Sequence, residues 1–151
     1  QGDHREVEDR RPTAAEREKL EGRFPNLKGK AFTITGGCST DYNCIAATVG
    51  IADQSVWPGR EAAFDAFYKE HGCLPAPDGT APELADVVLW AKEKEPTHAC
   101  RRVSGGKFES KCGTLEKIVH DLKDLEGKSY GKPYKFYLCG SKVGLSSDLA
   151  D

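Results

Sequence analysis

Methionine is missing from all 151 residues, position 1 included. The chain is therefore expected to be a processed product or a domain cut from something longer. Long apolar runs are missing too: none approaches the roughly 18 residues of a membrane-spanning helix. The N-terminus is charged from Asp3 onward and carries no signal-peptide pattern. Neither charge sign dominates, with 22 Lys and Arg against 24 Asp and Glu and a net charge of −2. That balance gives no reason to expect nucleic acid or an anionic membrane as the main partner. There is no C-x-x-C pair, and the six cysteines (Cys38, Cys44, Cys73, Cys100, Cys112, Cys139) lack the density of a disulfide scaffold. Were one of them a catalytic thiol, five would remain, so the redox compartment stays open. No internal repeat and no linker divides the chain.

What is present suggests one domain over residues 12–140, between a flexible segment at 1–11 and a polar tail at 141–151. His4, in the first segment, is given no role. Thr13-Ala14-Ala15-Glu16 reads as a capping box behind Pro12, with Leu20 and Phe24 on a thin apolar face. A strand is expected over 31–35, broken by Gly36-Gly37, and an amphipathic helix over 60–70 closed by His71, whose plain job there is to complement the helix dipole. Further strands are expected at 86–91, 97–103, 107–111 and 134–139, with Ser104-Gly105-Gly106 turning the central hairpin. Leu115, Ile118, Val119, Leu122 and Leu125 recur at helical spacing, which predicts a helix over 116–125 with His120 beside or on the edge of its apolar face. The fold class is α+β: a helical N-terminal part packed on a small antiparallel sheet.

The chemistry concentrates at Ser39–Gly50, a cap-rich polar loop running into a short apolar helix with Cys44 at the junction. A thiol in the first turn feels the positive end of the helix dipole, which lowers its pKa and favours the thiolate. His98, at the head of a strand, would supply the base. The returning strand brings either Ser110 or the Glu109/Lys111 pair to the His98 face, as an orienter for the other ring nitrogen. The Cys44 backbone N–H, with Asn43, Ser39 or Thr40, would form an oxyanion hole. Trp57, followed by Pro58, either lines a substrate cleft or, as favoured here, plugs the core.

Asn43-Cys44-Ile45-Ala46, Trp57-Pro58, His98-Ala99-Cys100-Arg101-Arg102, Glu109-Ser110-Lys111-Cys112-Gly113, Ile118-Val119-His120 and Tyr130-Gly131 occur in this order. The set resembles a family of small bacterial domains with Asn-Cys-Ile-Ala, Trp-Pro, His-Ala and Ser-Lys-x-Gly elements, over about 37–138. That family looks like a compact member of the papain-like cysteine peptidases and amidases. The resemblance implies a papain-like fold with Cys44 as nucleophile, His98 as base and Ser110 or Glu109 as orienter. Two departures stand out: no Gln precedes the nucleophile as an oxyanion donor, and the orienter is not an evident Asn, Asp or His.

The expected activity is hydrolysis or acyl transfer at an amide bond of a peptide or amide-containing substrate, with no cofactor required. The oligomeric state is left open, as is the substrate. A secreted bacterial protein from which the domain is excised fits the missing methionine. His120 is either a second base or, as favoured, a helical histidine bonded to a backbone carbonyl. Two rivals are kept. One is a small structural zinc domain using His98 and Cys100, two apart on a strand, with Cys38, Cys73 or Cys112. The other is a non-enzymatic interaction domain with a buried thiol.

Overall fold

The computed structural model describes residues 9–140. The expected segment at 1–11 lies mostly, and the tail at 141–151 wholly, outside the described residues. Arg10, within the first segment, pairs with Ile34 through two backbone hydrogen bonds and with Glu16 through an ion pair of 2.8 Å. It belongs to the fold.

The domain is α+β, with three α-helices and a seven-stranded antiparallel sheet among the described residues. Helix α1 (Ala14–Arg23) starts at Thr13, whose hydroxyl accepts from the Glu16 N–H while the Glu16 carboxylate accepts from the Thr13 N–H. Helices α2 (Cys44–Thr48) and α3 (Glu61–Glu70) follow β1 (Thr33–Gly36). The remaining strands are β2 (Cys73–Pro75), β3 (Val87–Lys92), β4 (Glu95–Arg102), β5 (Phe108–Lys111), β6 (Lys117–His120) and β7 (Lys132–Cys139). Their order across the sheet is β1-β6-β5-β4-β3-β7-β2.

All four strands expected after residue 85 are present, and the sheet is larger than expected by β1, β2 and β6. The helix expected over 116–125 is overturned. Residues 117–120 form β6 and a 3-10 turn occupies Leu122–Leu125. Glu116, Ile118 and His120 are buried while Lys117 and Val119 are half-buried, the period-2 pattern of a strand. The same five apolar residues fit a period near 3.6, but pairing with β5 and β1 on both sides decides for the strand.

Helical elements cover both faces. Leu20, Phe24 and Leu27 pack with Val88, Trp90, Cys100, Phe108 and Ile118 on one face. Ile45 of α2 and Phe64 and Tyr68 of α3 pack with Val87, Leu89, Ala99 and Tyr137 on the other. Burial on both faces explains why Val87–Ala91 reads as one unbroken apolar run.

Candidate functional site

Asn43 organises the start of α2. Its Oδ1 accepts from the backbone N–H groups of Ala46 (3.0 Å) and Val56 (3.1 Å), and its Nδ2 donates to the Val56 carbonyl (2.7 Å). Its carbonyl oxygen and one of its two amide N–H groups are thus engaged in the cap and in clasping Val56. Ser39 is held in the same loop: its hydroxyl accepts from Asp41 N–H and its carbonyl from the Lys111 ammonium (2.8 Å). Thr40 is exposed in the same loop.

Cys44 is the first residue of α2, as expected, but only 6% exposed. Burial pushes its thiol up to about 11, and the N–H groups of Ala99, Ile45 and Cys44 facing the sulfur pull the value back only in part. The expected dipole-lowered thiolate is thus overturned at rest. Taking an anion out of water outweighs a half-charge at the end of five helical residues.

His98 is fully buried on β4. Its ring lies flat on Tyr130 (centroids 3.8 Å apart, planes 4° from parallel) and edge-on to Trp90, its partner on β3. Nε2 lies 2.9 Å from Ser110 Oγ, so alternation along β5 turns Ser110, not Glu109 or Lys111, toward His98. Glu109 as orienter is corrected: its carboxylate accepts from Arg101 at 3.0 Å. Ser110 Oγ also lies 2.7 Å from Nε2 of His120, whose Nδ1 donates to the Asp121 carbonyl at 2.7 Å. The expected backbone-carbonyl partner of His120 is present, on a strand and not a helix. Desolvation holds His98 well below the usual imidazole range and lowers His120 to about 4.

Nδ1 of His98 has no hydrogen-bond partner among the described residues. The sulfur of Cys44 sits by the N–H of Ala99, the next residue along β4. No hydrogen bond joins the two side chains. His98 stands among Trp90 and Tyr130 on the α1 side, while Cys44 packs with Ala99 and Leu89 on the α2 side. A preformed bonded pair is therefore absent from this resting arrangement. The ladder between β4 and β5 covers only Arg101–Arg102 against Phe108–Glu109, so the strands part beyond Arg101, near Cys44.

Trp57 is 50% exposed, touching the edge of Phe64 (5.4 Å), which corrects its reading as a core plug. It follows Val56, the residue clasped by Asn43, and so stands beside the start of α2.

Three residues of the site take parts that the sequence did not give them. His120 was hidden by the false helix, and the Ile118/His120 alternation is the signal that finds it. Lys111 is wholly buried, donating to the carbonyls of Ser39 (2.8 Å) and Gly113 (2.6 Å) with its ammonium 5.0 Å over the Tyr42 ring. It ties the loop before Cys44 to the sheet. Tyr130 shows no signal beyond its neighbour Gly131. Cys73 and Cys139 form a disulfide, leaving Cys38, Cys44, Cys100 and Cys112 free. Cys73 is thereby removed from any zinc set. Among the described residues no three His, Cys, Asp or Glu side chains converge as metal ligands, and no helix is long and apolar enough to cross a membrane.

Residues 33–138, from β1 into β7, match the model of the family described as "Domain of unknown function (DUF7689)". The chain belongs to that family. Cys44, His98, Ser110, His120 and Tyr130 all fall inside the DUF7689 span. No curated protein and no solved structure matches the chain.

Proposed function

We propose that this domain is a compact papain-like thiol hydrolase or acyltransferase acting on an amide bond, with Cys44 as nucleophile and His98 as base. One observation carries the reading. His98 is a buried imidazole fixed through Nε2 by Ser110 while its Nδ1 has no partner, one residue from the N–H that the Cys44 sulfur faces. Buried structural histidines satisfy both nitrogens, as His120 does. A base needs one nitrogen oriented and the other free.

In the reaction the Cys44 sulfur attacks the amide carbonyl carbon as His98 takes the thiol proton. Collapse of the tetrahedral species breaks the C–N bond, and His98 returns the proton to the departing amine. Water or an amine then attacks the thioester, and the thiol is restored. The N–H groups of Cys44 and Ile45, which face the sulfur at the start of α2, would donate to the oxyanion in this reading. Thiol and imidazole are neutral at rest and not bonded to each other, so in this reading the sulfur first reaches Nδ1 and His98 then removes the thiol proton during attack, with no standing ion pair needed.

The test uses a Cys38→Ser background, since Cys38 is the exposed free thiol. Chloroacetamide at pH 7–9 with peptide mapping reads Cys44, and a panel of peptide and isopeptide amides reads turnover through a hydroxylamine-sensitive thioester. The expected result is Cys44-dependent turnover and a fall in both rates of about 10²-fold in His98→Gln. Rates unchanged in His98→Gln would overturn the pairing. The near-complete burial of the sulfur favours one other reading, an interaction domain of the same fold. Cys44 silent toward reagent and substrates alike would decide for it.

A further inference from the structure

A hydroxyl carries one proton, yet Ser110 bridges two imidazoles, at 2.9 Å from Nε2 of His98 and 2.7 Å from Nε2 of His120. It donates to one ring and accepts from the other. The far end of the chain decides which. Nδ1 of His120 lies 2.7 Å from the Asp121 carbonyl oxygen, which can only accept, so that nitrogen is protonated. A neutral His120 then has a bare Nε2, which accepts from the Ser110 hydroxyl. The Ser110 oxygen in turn accepts from Nε2–H of His98. A neutral His98 protonated at Nε2 is bare at Nδ1, the atom that has no partner.

The opposite polarity requires both a cationic His120, donating from its two nitrogens, and an Nδ1–H on His98 buried with nothing to accept it. Burial disfavours the first, since both rings are held below the ordinary imidazole range at neutral pH. The second strands a donor in the interior. Only one direction of the chain satisfies every donor.

We propose that His120 is a positioning residue that, through Ser110, locks His98 in the tautomer whose Nδ1 lone pair can accept a proton. The use of that lone pair rests on the thiol-hydrolase reading; the tautomer itself does not. The orienter role that an amide or carboxylate would fill in one step is here a two-step relay ending on a backbone carbonyl. That also explains how a serine, able to donate or accept, gives the imidazole a defined tautomer.

The test is a long-range 1H–15N correlation at neutral pH on the full chain with 15N-labelled histidine, which reads bare and protonated ring nitrogens separately. The four histidines are assigned by single His→Gln variants. The expected result is His98 protonated at Nε2 and bare at Nδ1, with His120 the reverse. Ser110→Ala should leave His98 a mixture of tautomers, and Ser110→Thr, which keeps the hydroxyl, should restore one. Should Ser110→Ala fail to fold, the native spectrum and Ser110→Thr decide. A native His98 protonated at Nδ1, or a tautomer unmoved in folded Ser110→Ala, overturns the relay. The stated tautomers in a chain without Cys44-dependent turnover would leave the relay standing and remove the hydrolase. Turnover with Nδ1 protonated would do the reverse.

Discussion

Gly131 shows how closely single atoms define this site. It has φ of +78°, and a Cβ there would meet the Ala91 carbonyl oxygen at 2.2 Å. The constraint is twofold, a left-handed backbone and a backbone-to-backbone approach, so no rotamer relieves it. The preceding residue is Tyr130, whose ring supports His98 and whose carbonyl accepts from the Thr97 hydroxyl. Gly131→Ala is therefore expected to lower stability by about 2 kcal/mol or more, read as a shifted denaturant midpoint at constant slope. An unshifted midpoint would mean that this turn moves freely away from β3. At the same scale, Cys44 at a helix start was legible because a capping loop has a local signature, whereas His98, expected at the head of a strand, is the fourth residue of β4. Which of three neighbours faces His98 was not legible, because register across two strands is set by pairing and not by either strand alone.

Among the elements, β2 is three residues long and forms one edge of the sheet. Cys73 stands directly opposite Cys139 on β7, and their disulfide closes a loop of 66 residues. Opening it by Cys139→Ser is expected to cost about 2–4 kcal/mol, chiefly by freeing the unfolded chain. Equal stability with and without a reductant would show that the crosslink contributes nothing. Neither β2 nor the crosslink was legible: three residues carry no periodicity, and an even scatter of cysteines does not name its pairs. The helix wrongly expected around His120 failed for a different reason. Five apolar residues interleaved with polar ones over 115–125 were read at helical spacing, and the arbiter is pairing on both sides, with β5 just before and with β1 far back in the sequence.

For the molecule as a whole, the two buried imidazoles couple folding to pH. An imidazole that binds its proton near pH 6.5 when unfolded does so only near 4 at folded His120, and His98 is displaced in the same direction. Between those values the unfolded chain holds more protons, so stability falls as pH drops from about 6.5 toward 4. His120 alone accounts for roughly 3 kcal/mol of that fall. Glu16, held at about 2 chiefly by Arg10, adds its loss only under about pH 4.5, and Asp124, raised by burial, works in the opposite sense at that acid end. Urea midpoints from pH 7 to 4.5 at constant ionic strength check the slope. A flat profile would mean that the rings are charged, or wet, in the folded state.

The flat contact between Tyr130 and His98 sets which partner is free to travel. With one aromatic ring 3.8 Å above it, a second at its edge and Ser110 holding Nε2, the imidazole has no room to swing out. If sulfur and nitrogen are to touch, the sulfur makes the journey. Cys44 rides on a five-residue helix clasped at its start by one asparagine and one buried lysine. Turnover would then be timed by the unclasping of that short helix, with the ring waiting as a fixed post.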